Sequence, residues 1–378
     1  VVEAFQEFFM GLAIGIVGLP NVGKSTLFNA LSNAGAQAAN YPFCTIEPNV
    51  GVVPVPDDRL DQLTKVVKPQ KKVPTSLEFV DIAGLVRGAA SGEGLGNQFL
   101  QHIRQVDAIC HVVRAFEDPD VVHVEGSIDP ARDAATIDTE LCLADLQTVE
   151  KRRERTLKNT KSAGKPGELA KAEIGVLDKI IVGLNNGTPV RRIKLADEER
   201  EILRELFLLT SKPVLFVANV AEGQLGSEES DALVAKARAV AASEGAPLVT
   251  ICSKVEAEVQ EMPEADRADF LAAVGLKEPG LNKLVRAGYD LLGLITYFTV
   301  GETECRAWTI KKGMKGPAAA GVIHSDFEKL FIKAEVFTWT DLLKLGSESA
   351  VREKGLLRIE GKEYVVQDGD VMHFKNNA

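Results

Sequence analysis

Leu12-Ala-Ile-Gly-Ile-Val-Gly18-Leu-Pro-Asn21-Val22-Gly23-Lys24-Ser25-Thr26-Leu-Phe-Asn-Ala-Leu31 decides how the rest of this 378-residue sequence is read. Leu12, Ala13, Ile14, Ile16 and Val17 form a short apolar run, the pattern of a strand covered on both faces in a parallel sheet. The run enters G-x-x-x-x-G-K-S between Gly18 and Ser25, and the residues from Thr26 to Leu31 read as a helix. Gly18 and Gly23 let the backbone curl so that its N–H groups face phosphate oxygens, and the helix N-terminus adds a favourable field. Asn21, Val22, Gly23, Lys24, Ser25 and Thr26 are therefore the expected phosphate cradle. Lys24 reaches the β- and γ-phosphates and supports catalysis there, while the Ser25 hydroxyl is placed to ligate Mg²⁺. A glycine turn with a chance lysine is the bland alternative, and the flanking strand and helix weigh against it.

The second signal separates a switch from other phosphate binders. Ser76 to Val80 reads as a strand ending in Asp81-Ile-Ala-Gly84. Asp81 is placed to hold Mg²⁺ through a water, and Gly84 to offer its N–H to the γ-phosphate. The glycine-rich stretch from Leu85 to Gly96 and the segment Asn40-Tyr-Pro-Phe-Cys-Thr45-Ile-Glu-Pro48 are the two expected switches, with Thr45 completing the Mg²⁺ shell. Base contacts belong beyond two later strands, since ligands of open α/β sheets bind past the strands' C-terminal ends. One strand ends in Asn219-Val220-Ala221-Glu222, the other in Ser253-Lys254. A guanine site has N-K-x-D in the first slot; here Val220 replaces the lysine stem and Glu222 the aspartate. A pocket without its paired guanine acceptor discriminates less against adenine, and the Asn219 amide suits adenine N7 and N6. Glu222 standing in for aspartate in a GTPase is the competing reading.

Gly18–Thr26, Asn40–Thr45, Asp81–Leu85 and Asn219–Glu222 together resemble the YchF or Obg-like ATPase subfamily of the Obg-type, translation-associated P-loop NTPases. The resemblance runs from Met10 onward and includes Gly94–Phe99, Ala307–Ile310 and Asp368–Met372. It implies an ATP-preferring hydrolase acting at or near the ribosome. Leu85 occupies the position where many switch NTPases carry a water-orienting glutamine. The resemblance points instead to His123, in a mobile loop after the Ala108–Val113 strand, with a non-catalytic surface histidine as the alternative. For Asn21 it implies a monovalent cation ligand such as K⁺, against a local role capping the loop.

Lys plus Arg number 44 and Asp plus Glu 54, for a net charge of −10, which argues against coating DNA or an anionic membrane through bulk charge. Five scattered cysteines without a C-x-x-C pair make a disulfide framework or zinc ribbon unexpected and fit a reducing cytoplasm. No apolar run approaches the ~18 residues of a membrane span, and the N-terminus does not read as a signal peptide.

The expected fold is an α/β P-loop NTPase (a Ras-like G domain, mostly parallel sheet) with an inserted helical hairpin and a C-terminal β-grasp (TGS) domain. The expected boundaries are 10–130 and 206–294 for the nucleotide domain, 131–205 for the hairpin and 295–378 for the last domain. Helical spacing of Ile137, Leu141, Ala144 and Thr148, and of Leu169, Ala172, Val176, Ile180 and Leu184, marks the hairpin, with a turn at Lys161–Gly167. Between 151 and 165 seven basic residues face Glu154 alone, the best candidate for touching RNA or a ribosome, against the reading of a solvated helix face. In the last domain strands are expected at Ile295–Val300, Cys305–Ile310 and Tyr364–Val366, with helices near Asp326–Ala334 and Thr340–Leu345. A metabolic kinase would need a second substrate pocket, for which no motif stands out. A scaffold with a purely structural nucleotide is the remaining alternative.

Overall fold

In the computed structural model, which describes residues 12–37, 49–82, 95–161 and 164–376, the opening apolar run is strand β1 (Ala13–Val17), buried at all five residues. Helix α1 (Lys24–Gln37) leaves the glycine loop, followed by β2 (Val50–Pro54), α2 (Asp58–Val67), β3 (Lys71–Val73) and β4 (Ser76–Asp81). Then come α3 (Leu95–Gln105), β5 (Ala108–Arg114), α4 (Pro130–Asn159), α5 (Lys165–Asn185) and α6 (Asp197–Arg204). The nucleotide-binding pattern resumes with β6 (Val214–Asn219), α7 (Ala232–Glu244), β7 (Leu248–Ile251), α8 (Ser253–Glu261), α9 (Glu264–Ala273) and α10 (Gly280–Leu291).

The first sheet has the order β2-β4-β1-β5-β6-β7 and is parallel except for the β2–β4 pair. β1, β5 and β6 are buried at every position, as strands covered on both faces must be, which is why they read as unbroken apolar runs. Parallel register aligns the strand ends: Ile16 lies opposite Asp81, Arg114 opposite Asn219, and Asn219 opposite Ile251. The glycine loop, Asp81, Asn219 and Ser253 thereby follow the C-terminal ends of parallel strands, on the same side of the sheet.

Helix α4 starts at Pro130, with the Asp129 carboxylate accepting from the N–H groups of Ala131 and Arg132. Its first half does not belong to a free-standing hairpin: Ile137, Leu141 and Ala144 are buried in the core of the first sheet. Only beyond Cys142 does it pair with α5, around Cys142, Val149, Val176, Leu177, Ile180 and Leu184. The expected stripe on α5 is corrected at its start, because Leu169 and Ala172 are exposed while Ala170 is buried. Two buried acidic groups fasten the hairpin to the sheet. The Asp145 carboxylate accepts from Leu209 N, Thr210 N and Thr210 Oγ1 at 2.7–2.8 Å. Arg191 donates to Asp138 on α4 at 2.9 Å and to Glu244 on α7 at 2.6 Å.

The C-terminal region carries β8 (Leu294–Thr299), β9 (Glu304–Lys311), α11 (Gly316–Ile323), α12 (Ser325–Lys329) and β10 (Phe331–Thr338). It closes with α13 (Trp339–Leu345), α14 (Glu348–Glu353), β11 (Arg358–Glu360) and β12 (Asp370–Asn376). The sheet order β11-β10-β12-β8-β9-β3, with β8 and β12 parallel in the centre, is a β-grasp arrangement carrying one extra edge strand. Two sequence expectations fail here. The helix expected at Asp326–Ala334 is a short helix ending at Lys329 and then strand β10. The expected strand at Tyr364–Val366 is a single bridge, Lys315 to Val365, and the true central strand is β12.

The extra strand comes from the N-terminal part of the chain. β3 lies between the P-loop and Asp81 in sequence yet pairs in parallel with β9. α2 buries Leu60 and Leu63 among Phe298, Cys305, Phe337 and Val371, and Arg59 bridges Asp57 to Asp368. Residues 57–73 are thus built into the second sheet's core.

Asp145 generates the first prediction. Asp145→Ala strands three buried donors and should cost about 3 kcal/mol or more, read as a lowered melting temperature. Unchanged melting would show that the hairpin is held by apolar packing alone.

Candidate functional site

The loop from Gly18 to Ser25 is shaped by close approach. A Cβ on Gly18 would lie 2.5 Å from the Val112 carbonyl oxygen. Gly23 has φ +96°, and a Cβ there would run into the Asn219 side-chain amide. Lys24 is buried, and its Nζ donates to the Leu19 carbonyl at 2.7 Å, back across the loop. Burial lowers its pKa to about 8 while Asp81 opposes that shift, and burial raises the Asp81 carboxyl against the pull of Lys24. Ser25 and Thr26 are exposed on the first turn of α1.

These donors fit Mg²⁺. Among the described residues no cluster of three or more His, Cys, Asp or Glu could hold a metal. A hydroxyl at Ser25 and one carboxylate at Asp81 remain, the sparse oxygen set suited to an ion that keeps its waters and shares phosphate oxygens. Thr45, Gly84 and Leu85 lie outside the described residues, as does most of the two expected switches.

The Asn219 amide bridges two parts of the protein. Its Nδ2 donates to Val22 O at 2.9 Å and its Oδ1 accepts from Ser253 N at 2.9 Å. The amide is buried and works as a strut between the phosphate loop and the start of α8, with one N–H and one lone pair left over. Val220, expected beside the base, is buried in the first sheet's core. Glu222 is exposed at the start of the short 3₁₀ turn Glu222–Gln224. Ser253 Oγ is buried without a hydrogen-bond partner among the described residues, an orphan hydroxyl beside Gly23 and Asn219. Lys254, by contrast, is exposed.

His123 lies in a segment tied by several hydrogen bonds. The fully buried Arg114 guanidinium at the end of β5 donates to the carbonyls of Phe116, Asp118 and Val121, and stacks 4.5 Å over Phe116. The Asn21 amide donates to the Val122 carbonyl at 3.1 Å, tying the phosphate loop to this segment in place of a cap within its own loop. The His123 ring is buried: Nε2 lies 2.8 Å from Asp133 Oδ2, and Nδ1 accepts from Glu125 N. A cavity of about 450 Å³ opens beside it, lined by Arg114, Asp118, Val121, His123 and Ser127. Arg114 and Asp133 were missed at the level of sequence. An arginine closing an otherwise apolar strand, and an acid in the first turn of a Pro-started helix, were the available signals.

The basic segment is partly neutralised across the hairpin. Arg152 pairs with Glu173 at 2.5 Å and Arg153 with Asp178, while Lys151, Arg155, Lys158, Lys161 and Lys165 are exposed.

Comparisons with known proteins place this geometry. A family model described as "50S ribosome-binding GTPase" matches residues 13–140. Another, YchF-GTPase_C, described as "Protein of unknown function (DUF933)", matches residues 294–377. The "Ribosome-binding ATPase YchF" of Bacillus subtilis (strain 168) is 54% identical over 369 residues, covering 98% of this chain and 100% of its own length. The protein of the same name from Escherichia coli O157:H7 is 52% identical with the same coverage. The solved structure of the Schizosaccharomyces pombe YchF GTPase superposes with a TM-score of 0.88 at 40% identity, covering 97% of this chain and 98% of that one.

The depressed Lys24 pKa predicts a pH effect with a definite sign. A polyphosphate beside the ammonium restores the charged form, so binding takes up a proton between about pH 8 and the ordinary value of 10.5. Affinity for a nucleoside triphosphate should fall as pH rises above about 8. Calorimetry at pH 9 in two buffers of different ionisation enthalpy should show uptake of roughly one proton. No uptake would mean that Lys24 is already fully charged in the free protein.

Proposed function

The chain belongs to the YchF family, and we propose that it is a nucleotide-dependent switch that binds and slowly hydrolyses ATP in preference to GTP and acts at the ribosome. One observation carries the base preference: the strand end that would read guanine has Val220 turned into the core and Glu222 on an exposed turn. Neither a lysine stem over the base nor an aspartate bidentate to guanine is built there, so the contacts that reject adenine are missing. Asn219 supplies rigidity to this end of the site more than base readout.

Lys24 binds the β- and γ-phosphates, the curled loop from Asn21 to Thr26 offers its N–H groups, and Ser253 Oγ is available to the ligand. Ser25 and Asp81 would hold Mg²⁺, with Thr45 and Gly84 assigned to metal and γ-phosphate by resemblance. Bound Mg²⁺ neutralises charge on the phosphates. His123 is the residue assigned to orient the attacking water, and Asn21 retains its carbonyl oxygen for a monovalent cation such as K⁺.

The exposed lysines and arginine of residues 151–165 are the surface proposed to meet ribosomal RNA, since phosphate contacts need unpaired cations. No helix among the described residues is long and apolar enough to cross a membrane. We place the protein in the cytoplasm. Its division is into nucleotide, hairpin and C-terminal units, with residues 57–73 reassigned to the last.

A GTP-specific switch of the same architecture is the second reading, favoured by the GTPase description of the matching family model. Competition separates the two. Unlabelled ATP should displace labelled ATP at least about 10-fold more effectively than GTP, and the reverse order would make this a GTPase. For the water, His123→Ala should lower turnover by about 100-fold with less than a twofold change in ATP affinity. Unchanged turnover would move the water-orienting role to another group.

A further inference from the structure

The conformation of His123 bears on how turnover is controlled. The segment 121–124 lies against the phosphate loop through Asn21 and Val122 O, so its backbone is at the site. The ring is not. Val122 and Val124 are 75% and 51% exposed, whereas the His123 side chain between them is buried on the opposite side, against the first turn of α4. Both ring nitrogens are spent inside the protein. Nδ1 accepts from Glu125 N, which leaves the ring proton on Nε2, and Nε2–H donates to Asp133 Oδ2. A ring in this state has no free nitrogen with which to orient water. Asp133 is itself fixed: it is buried, and its other oxygen accepts from Arg132 at 3.0 Å.

We infer that Asp133 is a positioning residue that latches His123 in a resting conformation, and that release of this hydrogen bond precedes each hydrolytic turnover. The inference rests on the reading of His123 as the water-orienting group. No proton or electron changes hands in the release itself: Nε2–H exchanges one acceptor, the carboxylate, for another at the reacting end of the site. The geometry opposes the other common role of such a pair, in which the carboxylate orients a ring already facing its substrate. Here the ring nitrogens meet Asp133 and the Glu125 N–H, and neither is left to face a ligand.

The direction of effect tests the latch. Removing the acceptor increases the population of released rings, so Asp133→Ala should raise kcat about 3- to 10-fold with KM for ATP changed less than twofold. Asp133→Glu, which can re-form the bond, should return kcat toward the wild-type value. In a His123→Ala background the Asp133→Ala gain should vanish. A fall in kcat for Asp133→Ala, with His123→Ala also impaired, would overturn the latch while leaving His123 as the water-orienting group. If His123→Ala leaves turnover unchanged, the underlying reading fails instead.

Should Asp133→Ala fold poorly, the intact protein gives the answer by ¹⁵N NMR of its five histidines, with His123 assigned through His123→Gln. The Nε2–H signal of His123 should be slow to exchange in the nucleotide-free protein and lost on adding ADP with aluminium fluoride. Its persistence in that complex would overturn the proposal.

Discussion

The buried amide of Asn219 holds the site together. It joins the phosphate loop at Val22, the end of β6 and the first residue of α8, segments that lie far apart in the chain. Because the amide occupies the space over Gly23, that position must lack a side chain, and its positive φ is a second, separate reason for glycine. Both ends of the strut are buried, so each donor and acceptor must be satisfied within the protein; a replacement side chain of similar size without this pairing leaves Val22 O and Ser253 N stranded. The glycine loop and the start of α8 are therefore held together by one side chain.

A second constraint comes from helix α4, whose acidic side chains fasten it to different parts of the molecule. Asp133 takes the His123 ring, Asp138 shares Arg191 with Glu244, and Asp145 collects the N–H groups that open the 3₁₀ turn Leu209–Ser211. All three are buried or nearly so, where a carboxylate without such partners would be costly. The same helix ends in the basic tip of the hairpin. One continuous helix thus runs from Asp133, which holds His123, to the surface proposed to meet RNA, as the interval between β2 and β4 joins the first sheet to the second.

Much of the site was legible locally. A P-loop is a contiguous stretch whose chemistry depends on residues next to one another, so Gly18, Gly23, Lys24 and Ser25 declare themselves, and Asp81 follows because it closes a recognisable strand. Covered strands likewise announce themselves as unbroken apolar runs. Side-chain direction was another matter. Asn219 and His123 stand out in the sequence, but what they touch depends on partners 197 and 10 residues away, Val22 and Asp133. The C-terminal sheet was misread at Phe331–Ala334 because the start of a strand directly after a five-residue helix has too little length for either period to dominate.

By itself the sequence determined the phosphate chemistry, the parallel sheet and the existence of the helical hairpin, because each rests on residues close together in the chain. Tertiary structure alone decided that β3 joins the second sheet, that Val220 turns inward and that the His123 ring is buried against α4. Those outcomes depend on which groups are left unpaired and which apolar faces uncovered once distant segments meet, and no local pattern records that competition.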